Sequence, residues 1–220
     1  DVFVPWERVF MCGEWEFGGR LALNFAGFHR HSYCGCKPAL TDIIMGATAL
    51  VAEYNGVANA PHIRDELADL MIIAELVYAS GLAAAVKAKK TASGIYEPFF
   101  MYSNNGRYLA GANVYHEYDI LTAIAGGLPS TLPFEEDWLN DETRHYLEKY
   151  LKRKSDVSPD KIHRLMRFIQ DFSCSSIGGW TQYAGVHGGG SPVMEKIGIW
   201  RQYDLESKKR IAKYLAGIQD

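Results

Sequence analysis

The sequence predicts an all-α fold: a bundle of four or more helices with a short β remnant at its N-terminus. Two observations carry this. Apolar residues recur at three- and four-residue spacing through most of the chain, and proline and glycine fall where such helices would start and stop. Only the opening residues, Val2, Phe3 and Val4 before Pro5, read as the end of a strand. Apolar residues make up 48% of the 220, enough to bury a substantial core.

Each element follows from its punctuation. From Arg20 to Tyr54 the residues Leu21, Phe25, Phe28, Ile43, Ile44, Ala47, Leu50 and Val51 keep helical spacing. Pro38 lies inside that run and predicts a kink or break near Cys36, because it lacks a backbone donor and crowds the preceding turn. Asn55-Gly56 ends the segment. A second helix starts at Pro61 and sets Leu67, Leu70, Met71, Ala74, Val77, Tyr78, Gly81 and Ala85 on one face. Lys87, Lys89 and Lys90 suit its C-terminal dipole, while Gly81 and Ala83 to Ala85 permit close approach of a neighbour. A third helix runs from about Arg107 to Ala125 and stops at Gly126-Gly127, ahead of Pro129. Pro129 to Asn140 reads as an acidic loop. Asn140 caps a fourth helix reaching about Lys154, and Ser158-Pro159-Asp160 starts a fifth, with Ile162, Leu165, Met166, Ile169 and Phe172 on one side. Gly178-Gly179 and Gly188 to Gly190 predict further breaks. Two short C-terminal helices follow, the last from Leu205 to Leu215.

Composition narrows the function. Aromatics at 13% and a net charge of −3 argue against disorder, and 23 basic against 26 acidic residues, with no basic block, disfavour nucleic acid as a partner. Four cysteines do not make a disulfide scaffold, so a reducing, cytoplasmic setting is expected. No stretch of about eighteen uninterrupted apolar residues occurs, so no membrane span is expected. The opening residues DVFVPWERVF lack a basic and an apolar region, so no signal peptide is expected, and the first methionine is Met11. The expectation is a piece of a longer protein: residues 1–15 ending a preceding β domain or linker, and 16–220 forming the helical domain.

The densest chemistry lies in His29-Arg30-His31-Ser32-Tyr33-Cys34-Gly35-Cys36-Lys37-Pro38. On a helix His29, Tyr33, Cys36 and Lys37 share a face. His29 and Cys36 are separated by roughly 10 Å along the axis, too far for one metal ion but within reach of different corners of an iron–sulfur cluster. A polar helix face, with Cys34 and Cys36 as small buried apolar residues, fits the spacing as well. Gly126-Gly127 reads as a helix stop or a cofactor contact, His116 and Glu117 as a buried pair. Lys152 to Lys154 form a solvated helix end or a site for CoA phosphates, and Gly188 to Gly190 a loop with unusual backbone angles.

The string HRHSYCGCKPA resembles a segment of the 4-hydroxybutyryl-CoA dehydratases, a branch of the flavin-dependent 4-hydroxyphenylacetate 3-hydroxylase family related in fold to acyl-CoA dehydrogenases. DVFVPWERVF is similar to the last strand of that family's middle β domain. IAGGLPSTLP is similar to its turn against FAD, and VHGGGSP with LESKKRIAKYLAGI to its closing segments. The resemblance implies that His29 and Cys36 ligate a [4Fe-4S] cluster and that His29, Tyr33 and Lys37 are catalytic. It places Lys37, Ala125, Gly126 and Gly127 against FAD. It further implies an acyl-CoA substrate, a homotetramer, and cluster ligands from an N-terminal domain that Cys12 and Cys174 do not replace. The chain alone is then expected to hold neither cluster nor flavin tightly. Ala184 stands where the dehydratase pattern carries a Glu three residues before His187. An aromatic monooxygenase of the same family would share the fold but give Cys36 no role; a helical oligomerisation module would need none of the chemistry.

Overall fold

The computed structural model describes residues 1–218, and among these nine α-helices make up most of the regular structure. Three long helices form the bundle: α1 (Gly18–Tyr54), α2 (Pro61–Val86) and α3 (Phe100–Ala125), each packed on the other two. A two-stranded antiparallel hairpin, β1 (Lys89–Lys90) and β2 (Tyr96–Glu97), joins α2 to α3 with Lys89 opposite Glu97. The remainder is α4 (Glu135–Leu139), α5 (Asp141–Leu151), α6 (Pro159–Cys174), α7 (Ser176–His187), α8 (Pro192–Gln202) and α9 (Leu205–Ala216). α7 and α8 lie against α3, and α6 closes the lower core where Ile162 and Ile169 meet Ile44, Val51 and Leu121. A smaller core of Cys34, Ile73, Val77 and Ala110 sits higher between α1, α2 and α3.

The all-α class holds, with differences that have physical causes. Residues 1–15 contain no strand, only 3-10 turns at Trp6–Arg8 and from Trp15, because a strand needs a partner edge that this chain does not provide. α1 runs through Pro38 without interruption. Lys87 caps α2 rather than extending it, and Lys89 and Lys90 enter the hairpin. α3 starts at Phe100, seven residues earlier than expected, since Asn104, Gly106 and Arg107 face inward and hide its apolar period. The acidic stretch includes the short α4, whose N-cap amide on Phe134 donates to Asp137. α5 ends at Leu151, leaving Lys152 to Lys154 beyond it. Gly178 and Gly179 do not break the chain but sit inside α7, where a Cβ on Gly178 would lie 2.6 Å from Phe172 O. The caps at Asn140 and Ser158 form as expected, and Gly126 (φ +70°) ends α3.

The phase of two helices also differs. On α2 the buried residues are Ile63, Leu70, Ile73, Ala74, Val77, Gly81 and Ala84, while Met71 and Tyr78 face outward. Both faces of α2 are apolar, which blurs the period. By length and mean hydropathy, Trp15–Tyr54 (1.2) and Pro61–Val86 (1.7) each qualify as long and apolar enough to cross a bilayer. This corrects the expectation of no candidate span: averaging over a window admits charges that an uninterrupted run excludes. In the fold both helices pack within the bundle.

On α1 the buried stripe is Arg30, Cys34, Lys37, Thr41, Ile44, Thr48 and Val51, whereas Leu21, Phe25 and Phe28 are exposed. Lys37, only 2% exposed, forms a buried ion pair with Glu117 of α3. Its ammonium also donates to Thr41 Oγ1 (2.9 Å), and that hydroxyl lies 3.0 Å from Glu117 Oε2. Burial pushes the Lys37 pKa down, and the Glu117 charge opposes the shift. His116, beside Glu117, turns outward to Asp69 (3.2 Å), so the two do not form the expected pair: neighbours on a helix point about 100° apart.

Where α1, α2 and α3 touch, glycine lets the backbones meet. A Cβ on Gly81 would lie 2.7 Å from Cys34 Cβ, and one on Gly106 would lie 2.7 Å from Cys34 Sγ and 2.8 Å from Ser80 Cβ. Gly106→Ala is therefore expected to cost about 1–3 kcal/mol through overpacking. Gly46→Ala, at an open position in mid-α1, should stabilise by about 0.5–1 kcal/mol. Urea midpoints of the two variants check the contrast. Glu117→Leu alone should cost about 3–5 kcal/mol by stranding the Lys37 charge, while the double variant Lys37→Met/Glu117→Leu should recover most of that loss. Thermal melts of both decide it.

Candidate active site

The upper part of α1 faces the segment that links α7 to α8. α7 ends at His187, Gly188 to Ser191 form the link, and Gly189 (φ +78°) and Gly190 (φ +116°) need the left-handed region. The carbonyls at this end have few amides to accept from, so side chains supply donors. Arg107 of α3 donates from Nε to Gly188 O (2.7 Å) and from Nη2 to Val186 O (2.8 Å). Tyr33 donates its phenol to Gly185 O (3.3 Å), and its ring lies 4.4 Å under the Arg107 guanidinium. Arg30 donates from Nε to Gly189 O (2.9 Å) and from Nη1 to Asn104 Oδ1 (3.0 Å).

A buried carboxylate balances part of this positive charge. Glu195 of α8 is fully buried, lies 3.6 Å from Arg30 Nε, and neither of its oxygens has a hydrogen-bond partner. Burial pushes its pKa up, against the pull of Arg107 and Arg30. Burial likewise pushes Tyr33 up to about 12, although the Arg107 charge opposes it, so Tyr33 keeps its proton and acts as a donor. The Cys34 thiol, pushed up to about 11 by burial, bonds to Arg30 O (3.3 Å) and belongs to the core.

His29 stacks on Phe25 (5.8 Å between ring centres, 28°), and its Nδ1 is buried without a hydrogen-bond partner. Cys36 is exposed, its thiol 3.8 Å from Tyr33 O. Tyr33 reaches the α7–α8 segment, whereas Lys37 turns inward to Glu117. Ala125, Gly126 and Gly127 lie at the other end of α3, about 27 Å along its axis from Arg107. There Ala125 is buried, and a Cβ at Gly126 or Gly127 would meet nothing within 4 Å. His187 is exposed at the end of α7, with Tyr183 for a ring neighbour. A cavity of about 670 Å³ opens beside Arg30, walled by Phe25, Phe100, Asn104, Gly189 and Met194.

No group of three or more His, Cys, Asp or Glu converges on one point among the described residues. One imidazole with an unpartnered nitrogen and one exposed thiol, seven residues apart, fit two of the four protein positions of an iron–sulfur cluster. The open backbone at Gly126 and Gly127 fits the close approach of a flat cofactor. Sequence reasoning passed over Arg107, Asn104 and Glu195. Their signal is present: polar side chains on the inward phase of otherwise apolar helices.

Comparison with known proteins bears on this arrangement. The family described as 4-hydroxyphenylacetate 3-hydroxylase C terminal matches residues 19–217. The 4-hydroxybutyryl-CoA dehydratase/vinylacetyl-CoA-Δ-isomerase of Clostridium aminobutyricum is 33% identical over 229 residues, covering 100% of this chain and 46% of its own. The oxygenase component of 4-hydroxyphenylacetate 3-monooxygenase from Thermus thermophilus is 28% identical, covering 98% of this chain and 45% of its own. Among solved structures, the oxygen-tolerant archaeal 4-hydroxybutyryl-CoA dehydratase from N. maritimus superposes with a TM-score of 0.93 at 35% identity, over 99% of this chain and 43% of that one. The oxygenase component of 4-hydroxyphenylacetate 3-monooxygenase, complexed with FAD and 4-hydroxyphenylacetate, gives 0.88 at 27% identity, over 99% and 46%. The chain thus spans just under half the length of these relatives. It belongs to the 4-hydroxyphenylacetate 3-hydroxylase family, whose C-terminal helical domain it forms.

Proposed function

We propose that this chain is the C-terminal helical part of a flavin- and iron–sulfur-dependent dehydratase acting on 4-hydroxybutyryl-CoA, with vinylacetyl-CoA isomerisation at the same site. The observation that carries the reading is the pairing of His29 and Cys36 on one face of α1, a donor set that suits a cluster and has no use in flavin hydroxylation. The higher identity to dehydratases (33% and 35%) than to the oxygenase components (28% and 27%) supports it.

When bound, FAD supplies one-electron chemistry that acidifies the substrate's C–H bonds, and the cluster supplies a Lewis acid for the departing hydroxyl. This chain's residues do the rest. His29 and Cys36 would hold two corners of the cluster, and the His29 imidazole is the group on this helix suited to accept a substrate proton. Tyr33, whose proton is retained up to about pH 12, serves as a hydrogen-bond donor rather than as a base; its O–H rests on Gly185 O and turns to substrate on binding. Lys37, neutralised by Glu117 inside the bundle, fixes α1 against α3 and so holds the position of His29 and Cys36. Gly126 and Gly127, following the buried Ala125, give FAD a backbone surface free of side chains. The cavity beside Arg30 receives the acyl end, with Phe25 and Phe100 excluding water. The outward apolar face of α2, including Met71, Ile72, Leu76 and Leu82, is covered by another copy in a homotetramer.

A flavin-dependent aromatic monooxygenase is the second reading, supported by the TM-score of 0.88 to the FAD-bound oxygenase. Iron analysis of the full-length protein, prepared anaerobically, separates them: stoichiometric iron supports the dehydratase, and none supports the oxygenase.

Three variants of the full-length protein test the roles. Cys36→Ala should lose iron and dehydration together, because a methyl group cannot replace a thiolate. His29→Cys should keep iron and lose turnover; near-normal turnover would make His29 a ligand only. Tyr33→Phe should lower kcat while leaving iron content near the parent value. Iron per subunit beside kcat reads all three.

A further inference from the structure

The turn between α7 and α8 passes directly against the His29 ring. A Cβ built on Gly189 would lie 2.6 Å from His29 Nδ1 and 3.4 Å from Cε1, closer than real side-chain atoms approach. Gly189 also has φ +78°, so backbone conformation and space independently require glycine there. Phe25 stacks on the same imidazole, so the ring is bounded by an aromatic and by bare backbone. The Nδ1 atom is buried and meets no donor or acceptor.

The turn is anchored. Arg30, the residue after His29, donates from Nε to Gly189 O at 2.9 Å, and Arg107 donates to Gly188 O at 2.7 Å. Arg30 is itself held by Asn104 and Glu195. A shift of the turn therefore shifts the wall against which the imidazole rests, and a shift of Arg30 moves both.

We propose that Gly189, held in place by Arg30, is a positioning residue for His29: it closes the Nδ1 edge of the ring by direct backbone contact and leaves Nε2 as the nitrogen that reaches iron, substrate or proton. This rests on the reading of His29 as a functional residue. The contact itself needs no cofactor, so it can be tested in iron-free protein.

The test uses the full-length protein without iron, treated with diethyl pyrocarbonate, with carbethoxylation of each histidine quantified by mass spectrometry. The readout is the fraction of His29 carbethoxylated on both ring nitrogens, a product distinct by mass, relative to the same fraction at exposed His62 in the same sample. In Gly189→Ala the new methyl group drives the ring off its wall, and the ratio should rise several-fold at unchanged helical circular dichroism. Gly94→Ala imposes the same positive-φ strain (φ +89°) in the hairpin, away from His29, and should keep the parent ratio. Arg30→Lys, which retains the charge but loses the forked grip, should raise the ratio in the same direction. A parent-like ratio in folded Gly189→Ala overturns the proposal; where that variant does not fold, a parent-like ratio in Arg30→Lys overturns it. Lack of iron and dehydration in the loaded parent would instead overturn the dehydratase reading, leaving this ratio measurable.

Discussion

The candidate site depends on how the C-terminal end of α7 finds its hydrogen bonds. Gly185, Val186, Gly188 and Gly189 present carbonyls there, and Tyr33, Arg107 and Arg30 donate to them from α1 and α3. Hydrogen bonds from charged donors contribute about 1.5–3 kcal/mol each, and positive charge is also favoured at a helix C-terminus. Against this stands the desolvation of two guanidinium groups. The fully buried Glu195 offsets part of that cost as a countercharge, and its own raised pKa records the strain of burial. Close packing then follows the charges. Gly185 must be small because a Cβ would lie 2.7 Å from Val114 Cγ2, and Gly111 because one would lie 2.6 Å from Arg107 Nη1. The glycines of α7 and α3 let the arginine and its acceptors come within bonding distance.

Helix existence was legible because the stops are chemical. Asn140 and Ser158 as N-caps, Pro61 and Pro159 in first turns, and Gly126 as a terminator all act where they stand in sequence. Helix phase was harder. On α1 the strongest apolar residues of the first half, Leu21, Phe25 and Phe28, are exposed, and the inward stripe passes through Arg30, Lys37, Thr41 and Thr48. A periodicity reading treats such residues as solvent-facing, so it rotates the helix. The error reaches α3 for the same reason, where Asn104, Arg107 and Glu117 are buried. The polar partners of Arg30 alone, Asn104, Gly189 and Glu195, lie far along the chain, the nearest 74 residues away, and no local pattern pairs them.

Ala184 has a different standing. It occupies the last turn of α7, and its carbonyl accepts from Gly188 N at 2.8 Å. Ala184 therefore shapes the end of α7 through its backbone, and its methyl group offers no proton-transfer chemistry. The carboxylate that does stand at this end of the bundle, Glu195, is committed to balancing buried charge.

Those groups share their helix with the structural seam in a regular way. His29 and Cys36 are seven residues apart, and so are Arg30 and Lys37. Seven residues turn a helix by nearly two full revolutions, so each pair lies along one line, and the two lines differ by one residue, about 100° around the axis. The line through Arg30 and Lys37 faces inward and fastens α1 to α3 and to the α7–α8 turn. The line through His29 and Cys36 passes along the edge of that seam, with His29 against the turn and Cys36 open. A rigid inner line beside a line that carries an imidazole and a thiol explains why a single stretch, His29 to Pro38, reads as chemistry and behaves as core at once. It also means that α1 cannot rotate to expose or withdraw His29 and Cys36 without breaking the Lys37–Glu117 pair and the Arg30 anchors, so the placing of these two side chains is fixed by the fold itself.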